Sequence, residues 1–325
     1  MKPVGFDLEG PLSPQDNAYE LMKLFPRGGE VFEAISLYDD LVTMDARAGY
    51  EPGDTLTLII PFLISHGVTE SDIATLAERA SLVPGATDLI GWLQGRGTPV
   101  RCITTTYRQY SQPLCGRLGI LPQNLAATVF PLPELAARFA HALASLPQMQ
   151  EDVLRIKHSG EAIALKGRLD SFYWEGGDIT ALIGQVKPVG GERKVAAVKT
   201  FATALRTPLS DWAVIGDSIT DFKMLDAVTG AGGLSIAFNA NEYALPYATM
   251  GLASTSIAGL ATVLQTWQDN GLAAVEELVR EKERAGGSDS HGHFHWLRGR
   301  ATSQLPLDVH KRIRRLVREE AAILG

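Results

Sequence analysis

Acidic residues at two distant points of this 325-residue chain have the types and spacing to do chemistry together. The first group is Phe6-Asp7-Leu8-Glu9-Gly10. Asp7 and Glu9 are two apart, so on a strand they share a face, and at its frayed end both can reach one cavity. The second is Ile215-Gly216-Asp217-Ser218-Ile219-Thr220-Asp221, whose Asp217 and Asp221 stand four apart, on one face of a starting helical turn. Between them lie Thr104-Thr105-Thr106 and the run Gly190-Gly191-Glu192-Arg193-Lys194, a glycine turn that leads a lysine into a helix. Carboxylates clustered without His or Cys suit a hard, oxygen-seeking cation, Mg²⁺ before others. A carboxylate can attack phosphorus only when the phosphate charge is neutralised, as a cation and a lysine would do, with hydroxyl and backbone N–H groups filling the remaining oxygen contacts. An acid two residues from that nucleophile could protonate the leaving oxygen and then activate water. Lys187 and Lys199 lie near, and the glycine turn favours Lys194 as the phosphate lysine.

The elements that must position these groups read as a βαβ rhythm. Pro3 to Leu8 is a short apolar strand candidate ending in acids, and Pro99 to Ile103, Trp212 to Ile215 and Leu234 to Phe238 are three more. Helical patterns cover Asn17 to Leu24, Val31 to Met44, Ser71 to Ala80, Ala86 to Gly95, Lys194 to Leu205 and Asp221 to Val228. Helices alternating with apolar strands predict an α/β chain with a doubly wound, mostly parallel sheet. In such a sheet ligands bind at the carboxyl ends of the strands, where all the chemical groups above fall. The expected division is a core of residues 1–13 and 84–268, with an insertion at about 133–186. A helical cap spans 14–83 and a helical C-terminal extension 269–325.

The ordered set resembles the haloacid dehalogenase-like superfamily of phosphohydrolases. Asp7, Thr104, Lys194 and Asp217 with Asp221 fall on that family's nucleophile, hydroxyl, lysine and acidic motifs. Asp-Leu-Glu-Gly at 7–10 and Ile103 to Leu114 are similar to the phosphoserine phosphatase branch, especially its bifunctional phosphoserine phosphatase/homoserine phosphotransferase type. The likeness covers residues 1–24, 84–130 and 187–265, and Glu9 stands where most members have Asp. The resemblance implies a Rossmann-like core and Mg²⁺ held by Asp7, the Glu9 backbone carbonyl, Asp217 and Asp221. It implies catalysis by Asp7, Glu9 and Lys194, and substrate contacts from Thr104, Thr105 and Lys194. A Mg²⁺-dependent hydrolase of a small phosphorylated metabolite, working through an aspartyl-phosphate, is the leading reading. Phosphotransfer to an alcohol acceptor such as homoserine, and a non-catalytic subunit or regulator of a larger complex, are the alternatives.

Composition narrows the partners. Thirty Lys and Arg against 37 Asp and Glu give a net charge of −7, which provides no general pull toward nucleic acid or anionic membrane. Only Cys102 and Cys115 occur, in no CxxC pair, and Cys102 reads as a small buried hydrophobe. The first residues reach Asp7 without an apolar leader core, and Leu56 to Ile64 is too short to span a bilayer. The expectation is a cytoplasmic protein. In His291-Gly292-His293-Phe294-His295 an extended backbone would put three imidazoles on one side, able to chelate Zn²⁺ or Ni²⁺, but the Gly and Ser before it favour a mobile or partner-facing loop. The tail from Arg298 carries seven basic residues, with Val309, Ile313, Leu316, Val317 and Glu320 at helical spacing. A helix packed on its own domain with a solvated basic face is expected, and the alternative is an association helix for a homodimer or an acidic protein partner.

Overall fold

The computed structural model describes residues 1–45 and 47–318, apart from the Met44 side chain, so Glu319 and Glu320 of the tail lie outside the described residues. Seven strands form one sheet: β1 (Val4–Phe6), β2 (Val100–Tyr107), β3 (Leu125–Thr128), β4 (Ala213–Gly216), β5 (Leu234–Phe238), β6 (Met250–Ala253) and β7 (His293–Trp296). Their order is β3-β2-β1-β4-β5-β6-β7, with every pair parallel except β6 with β7. The chain is thus α/β with a mostly parallel sheet. A parallel sheet needs both faces covered, and β1, β4 and β5 accordingly carry only buried residues. The strand order reverses at β1, so the ends of β1, β2 and β4 open on one crevice.

Helices fill the long connection between β1 and β2, chief among them Asn17–Met22, Gly28–Met44 and Ile60–Ser65. The helices Leu146–Ser159 and Ala162–Trp174 of the 133–186 stretch pack on Gly28–Met44, so the two stretches make one helical layer. Polar bonds pin this packing: Tyr38 donates to Asp170 at 2.7 Å, Trp174 Nε1 donates to the Tyr38 hydroxyl at 2.6 Å, and Tyr173 donates to the Leu58 carbonyl at 2.7 Å. Arg193 pairs with Asp54 and Lys223 with Glu51 at 3.0 Å, which ties the layer to the sheet edge. The backbone approaches closely there, and a Cβ on Gly190 would run into the Pro52 carbonyl oxygen.

The C-terminal extension holds a strand as well as helices. The histidine run, expected as a loop, leaves a turn at His291 and enters β7 at His293, because Phe294 and Trp296 are buried on one side while the backbone pairs with β6 from Met250↔Trp296 to Ala253↔His293. Its histidines do not converge. His291 Nδ1 meets the Ser288 and Ser290 hydroxyls, His293 pairs with Asp289 at 3.1 Å, and His295 meets Glu283 at 3.4 Å. Among the described residues the one group placed to share a metal is Asp7, Asp217 and Asp221. No helix among them is long and apolar enough to cross a membrane.

The last helix, Leu307–Arg318, corrects the expected orientation of the tail. Its buried residues are His310, Ile313, Arg314 and Arg318, whereas Leu316 is 58 % exposed. Part of the basic face therefore points inward. His310 Nδ1 accepts from the Ala240 N–H at 3.0 Å, and its ring packs against Gly251 and His295. Burial first, then the nearby His295 and His293, push its pKa from 6.5 down to about 3. A neutral ring that the fold requires stabilises fully above pH 6.5 and progressively less as pH falls toward 3. At pH 5 this ring alone should cost about 2 kcal/mol of unfolding free energy. In denaturant titrations at pH 7 and pH 5, the parent chain should lose about that much more than His310→Asn, whose side-chain oxygen can keep the Ala240 bond. Equal losses would contradict this role.

Candidate active site

The site is assembled from two loops that leave neighbouring parallel strands. Asp7 follows β1 directly: its N–H extends the ladder to the Ile215 carbonyl at 2.9 Å, and its Oδ1 accepts from the Leu8 N–H at 2.7 Å. Asp217 follows β4, and Asp221 closes the same turn, with Oδ2 accepting from the N–H groups of Asp217 at 3.0 Å and Ser218 at 3.1 Å. Lys194, in the first turns of the helix Glu192–Leu205, has no solvent exposure. Its ammonium bridges Asp7 Oδ2 at 2.8 Å and Asp221 Oδ1 at 2.7 Å. Lys187 and Lys199 are exposed, and Lys194 is the one of the three that meets Asp7 and Asp221. One carboxylate oxygen from each of Asp7, Asp217 and Asp221 falls within 4.8 Å of the others. Both oxygens of Asp221 and both of Asp7 meet protein donors, which fastens each to its loop and to the lysine, whereas the bonds that hold the Asp217 carboxylate fall on its Oδ2.

Glu9 lines the same cavity, and its Oε1 accepts from the Asn17 N–H at 2.5 Å. The threonines divide. Thr105 lines the cavity and donates to the Val189 carbonyl at 3.1 Å. Thr104 is fully buried, with its hydroxyl 3.0 Å from that of Thr106 and off the cavity lining. The cavity, about 130 Å³, is roofed by the helical layer through Asp39, Asp40 and Thr43 among others.

Three residues that sequence reasoning missed complete the site. Arg314 and Arg318, of the last helix, both donate to Asp217 Oδ2, Arg318 at 3.0 Å. Arg318 Nε also donates to the Pro14 carbonyl at 3.2 Å. The available signal was the spacing: His310, Arg314 and Arg318 recur every four residues, one stripe of a helix. Asp16 was also missed. It caps the helix Asn17–Met22 by accepting from the Tyr19 N–H at 2.9 Å, and it lines the cavity.

Burial and like charge set the electrostatics. Burial first, then Asp221, push the Asp7 pKa up to about 8 against the pull of Lys194, and Asp217 adds to the rise. Burial and then Asp16 hold Glu9 well above the carboxylate range. Burial likewise raises Asp16, with Arg318 opposing. Burial lowers Lys194, but Asp221 and Asp7 outweigh it and the net shift is upward. These are the marks of a donor set made for more positive charge. Hard carboxylate oxygens converge, and one of the carboxylates, Asp217, attracts two guanidiniums. The set therefore fits a divalent cation.

No family model and no curated protein matches the chain. Solved structures do. A gene product of Archaeoglobus fulgidus is 28% identical with a TM-score of 0.83, over 100% of this chain and 99% of that one, so the likeness takes in the C-terminal extension. An apo phosphoserine phosphatase has a TM-score of 0.50 at 16% identity, over 80% of this chain and 98% of that one. A phospho-aspartyl intermediate analogue of phosphoserine phosphatase has a TM-score of 0.52 at 16% identity, over 80% and 97%.

The carboxyl group of Asp217 lies against Gly10, whose φ is +90° and whose added Cβ would fall inside that carboxyl. Gly10→Ala should therefore destabilise the fold by about 1–3 kcal/mol and weaken Mg²⁺ binding about tenfold or more. Thermal melts and calorimetric Mg²⁺ titration check both, and an unchanged Mg²⁺ affinity would show that Asp217 is not a ligand.

Proposed function

We propose that this chain, which has the haloacid dehalogenase-like fold, is a divalent-cation-dependent phosphomonoester hydrolase acting on a small phosphorylated metabolite. The observation that carries the reading is the buried bridge of Lys194 between Asp7 and Asp221, with Asp217 close enough to share an ion. Clustered acids around a buried lysine at a sheet edge make poor architecture without a ligand, because each buried charge costs free energy unless it is paired.

In this reading Asp7, the Glu9 backbone carbonyl and Asp217 hold the cation, which when bound would neutralise phosphoryl oxygens. Asp7 attacks phosphorus through a carboxylate oxygen, forming an aspartyl-phosphate, while the ester oxygen leaves with a proton from Glu9. Glu9 is raised above the usual range chiefly by burial, which suits a group that must begin protonated. The ionised Glu9 then takes a proton from water, which attacks the acyl-phosphate and releases phosphate. Lys194 holds Asp7 in register and meets the phosphoryl charge. Thr105 lines the cavity, and its hydroxyl would turn from the Val189 carbonyl to donate to a phosphoryl oxygen, with Thr104 shaping the strand end beneath it. The helical layer over the cavity acts as a cap that limits water. An alcohol in place of water would make the same aspartyl-phosphate the donor in phosphotransfer.

An aryl phosphate should be hydrolysed with Mg²⁺ and not in EDTA, and Asp7→Asn should remove the activity. Glu9→Gln should lower kcat roughly a hundredfold or more. Turnover by Asp7→Asn equal to that of the parent chain would overturn the assignment, and a phosphometabolite panel run with and without alcohol acceptors separates hydrolysis from transfer.

A further inference from the structure

Two of the four arginines of the last helix, Arg314 and Arg318, are buried cations that the hydrolytic scheme does not use. Arg314 is 3% exposed and Arg318 8%, yet both line the cavity that Asp7 and Glu9 line. A buried guanidinium needs a strong partner to offset its lost hydration. Here both have taken the same one, Oδ2 of Asp217. Arg314 also reaches the Asp217 and Asn239 carbonyls at 3.4 Å.

That choice conflicts with the cation. A divalent ion on Asp217 would sit beside two positive groups, and like charges in a buried site repel strongly. The guanidiniums then turn to the anions left to them, which are Asp16 beside both and any phosphoryl group in the cavity they face. Their planar forks match phosphate oxygens. The local charges give the order of events. Asp7, Glu9, Asp16, Asp39, Asp40 and Asp217 line the cavity against Arg314 and Arg318, so with Glu9 protonated the acids still exceed the cations, the buried Lys194 included. A phosphate dianion is repelled by that surplus until a divalent cation cancels it.

We infer that Arg314 and Arg318 are phosphate-binding residues held in reserve on Asp217, and that a divalent cation, by taking Asp217, releases them to the phosphoryl oxygens. This rests on the proposed cation site and gives it a second set of anion ligands, supplied by the last helix. Cation and substrate then bind in sequence, with the cation first.

The test is calorimetry on the full chain with two probes, MgCl₂ alone and then inorganic phosphate in saturating MgCl₂. The variants are Arg314→Gln, Arg318→Gln and Arg315→Gln, the last an exposed arginine of the same helix. Each Gln variant at 314 and 318 should bind Mg²⁺ more tightly, because its competitor is gone, and phosphate about tenfold or more weakly. Arg315→Gln should match the parent in both. Thermal melts establish folding, and should a Gln variant fail to fold, Arg314→Lys and Arg318→Lys keep the charge while losing the fork, so phosphate should weaken with little change for Mg²⁺. Unchanged phosphate affinity in folded variants would overturn the inference and leave the arginines as counter-charge alone. Weaker Mg²⁺ binding would overturn it too, by making them positioning residues for Asp217. If the variants show the binding shifts but the parent never hydrolyses a phosphoester, the hydrolase reading fails and this one stands. If it hydrolyses and the shifts are absent, only this one fails.

Discussion

A single buried ammonium organises this site. Lys194 touches Asp7 and Asp221 at once, with no solvent to share the charge. Each carboxylate belongs to a loop leaving a different central strand, so the lysine sets the distance between the two loops. Remove it, and two acids in a water-free space would face each other unscreened, a cost that grows steeply as the local dielectric falls. Asp221 spends its other oxygen on the backbone of its own turn, and this is what aims Asp217 into the cavity.

The sheet topology makes such a meeting possible. β1 lies between β2 and β4, so three loops of distant sequence emerge side by side. The helical layer closes over them from one side and the C-terminal helix from another, through Asp39 and Asp40 in one case and Arg314 and Arg318 in the other. The enclosure raises the carboxyl pKa values and strengthens every charge interaction within it. One physical cause therefore serves both positioning and reactivity.

Much of this was legible from the residues, and the exceptions have physical reasons. Asp7, Asp217 and Lys194 announce themselves because a strand end, a turn glycine and a helix start are local features. β5 spans the predicted Leu234 to Phe238, and Ala86–Gly95 has the predicted helical bounds, for the same reason. β3 and β6, reading LAAT and MGLA, escaped because four small or apolar residues show no period. Thr104 and Thr105 could not be told apart in role because successive strand residues face opposite ways, and the pairing of β2 with β3 is irregular between Ile103 and Tyr107. The arginines were hidden in a helix with basic residues on several sides. Which of them turn inward is set by how His310 and Ile313 dock, a tertiary fact.

The claim beneath all of this is that the acids at the ends of β1 and β4 form one seat for a divalent ion. A crystal grown with Mn²⁺ and measured for anomalous scattering addresses it directly. The expected result is a single strong peak between the carboxylates of Asp7 and Asp217, within about 2.0–2.4 Å of an oxygen from each. A peak elsewhere, or none at Mn²⁺ concentrations that support turnover, would contradict it.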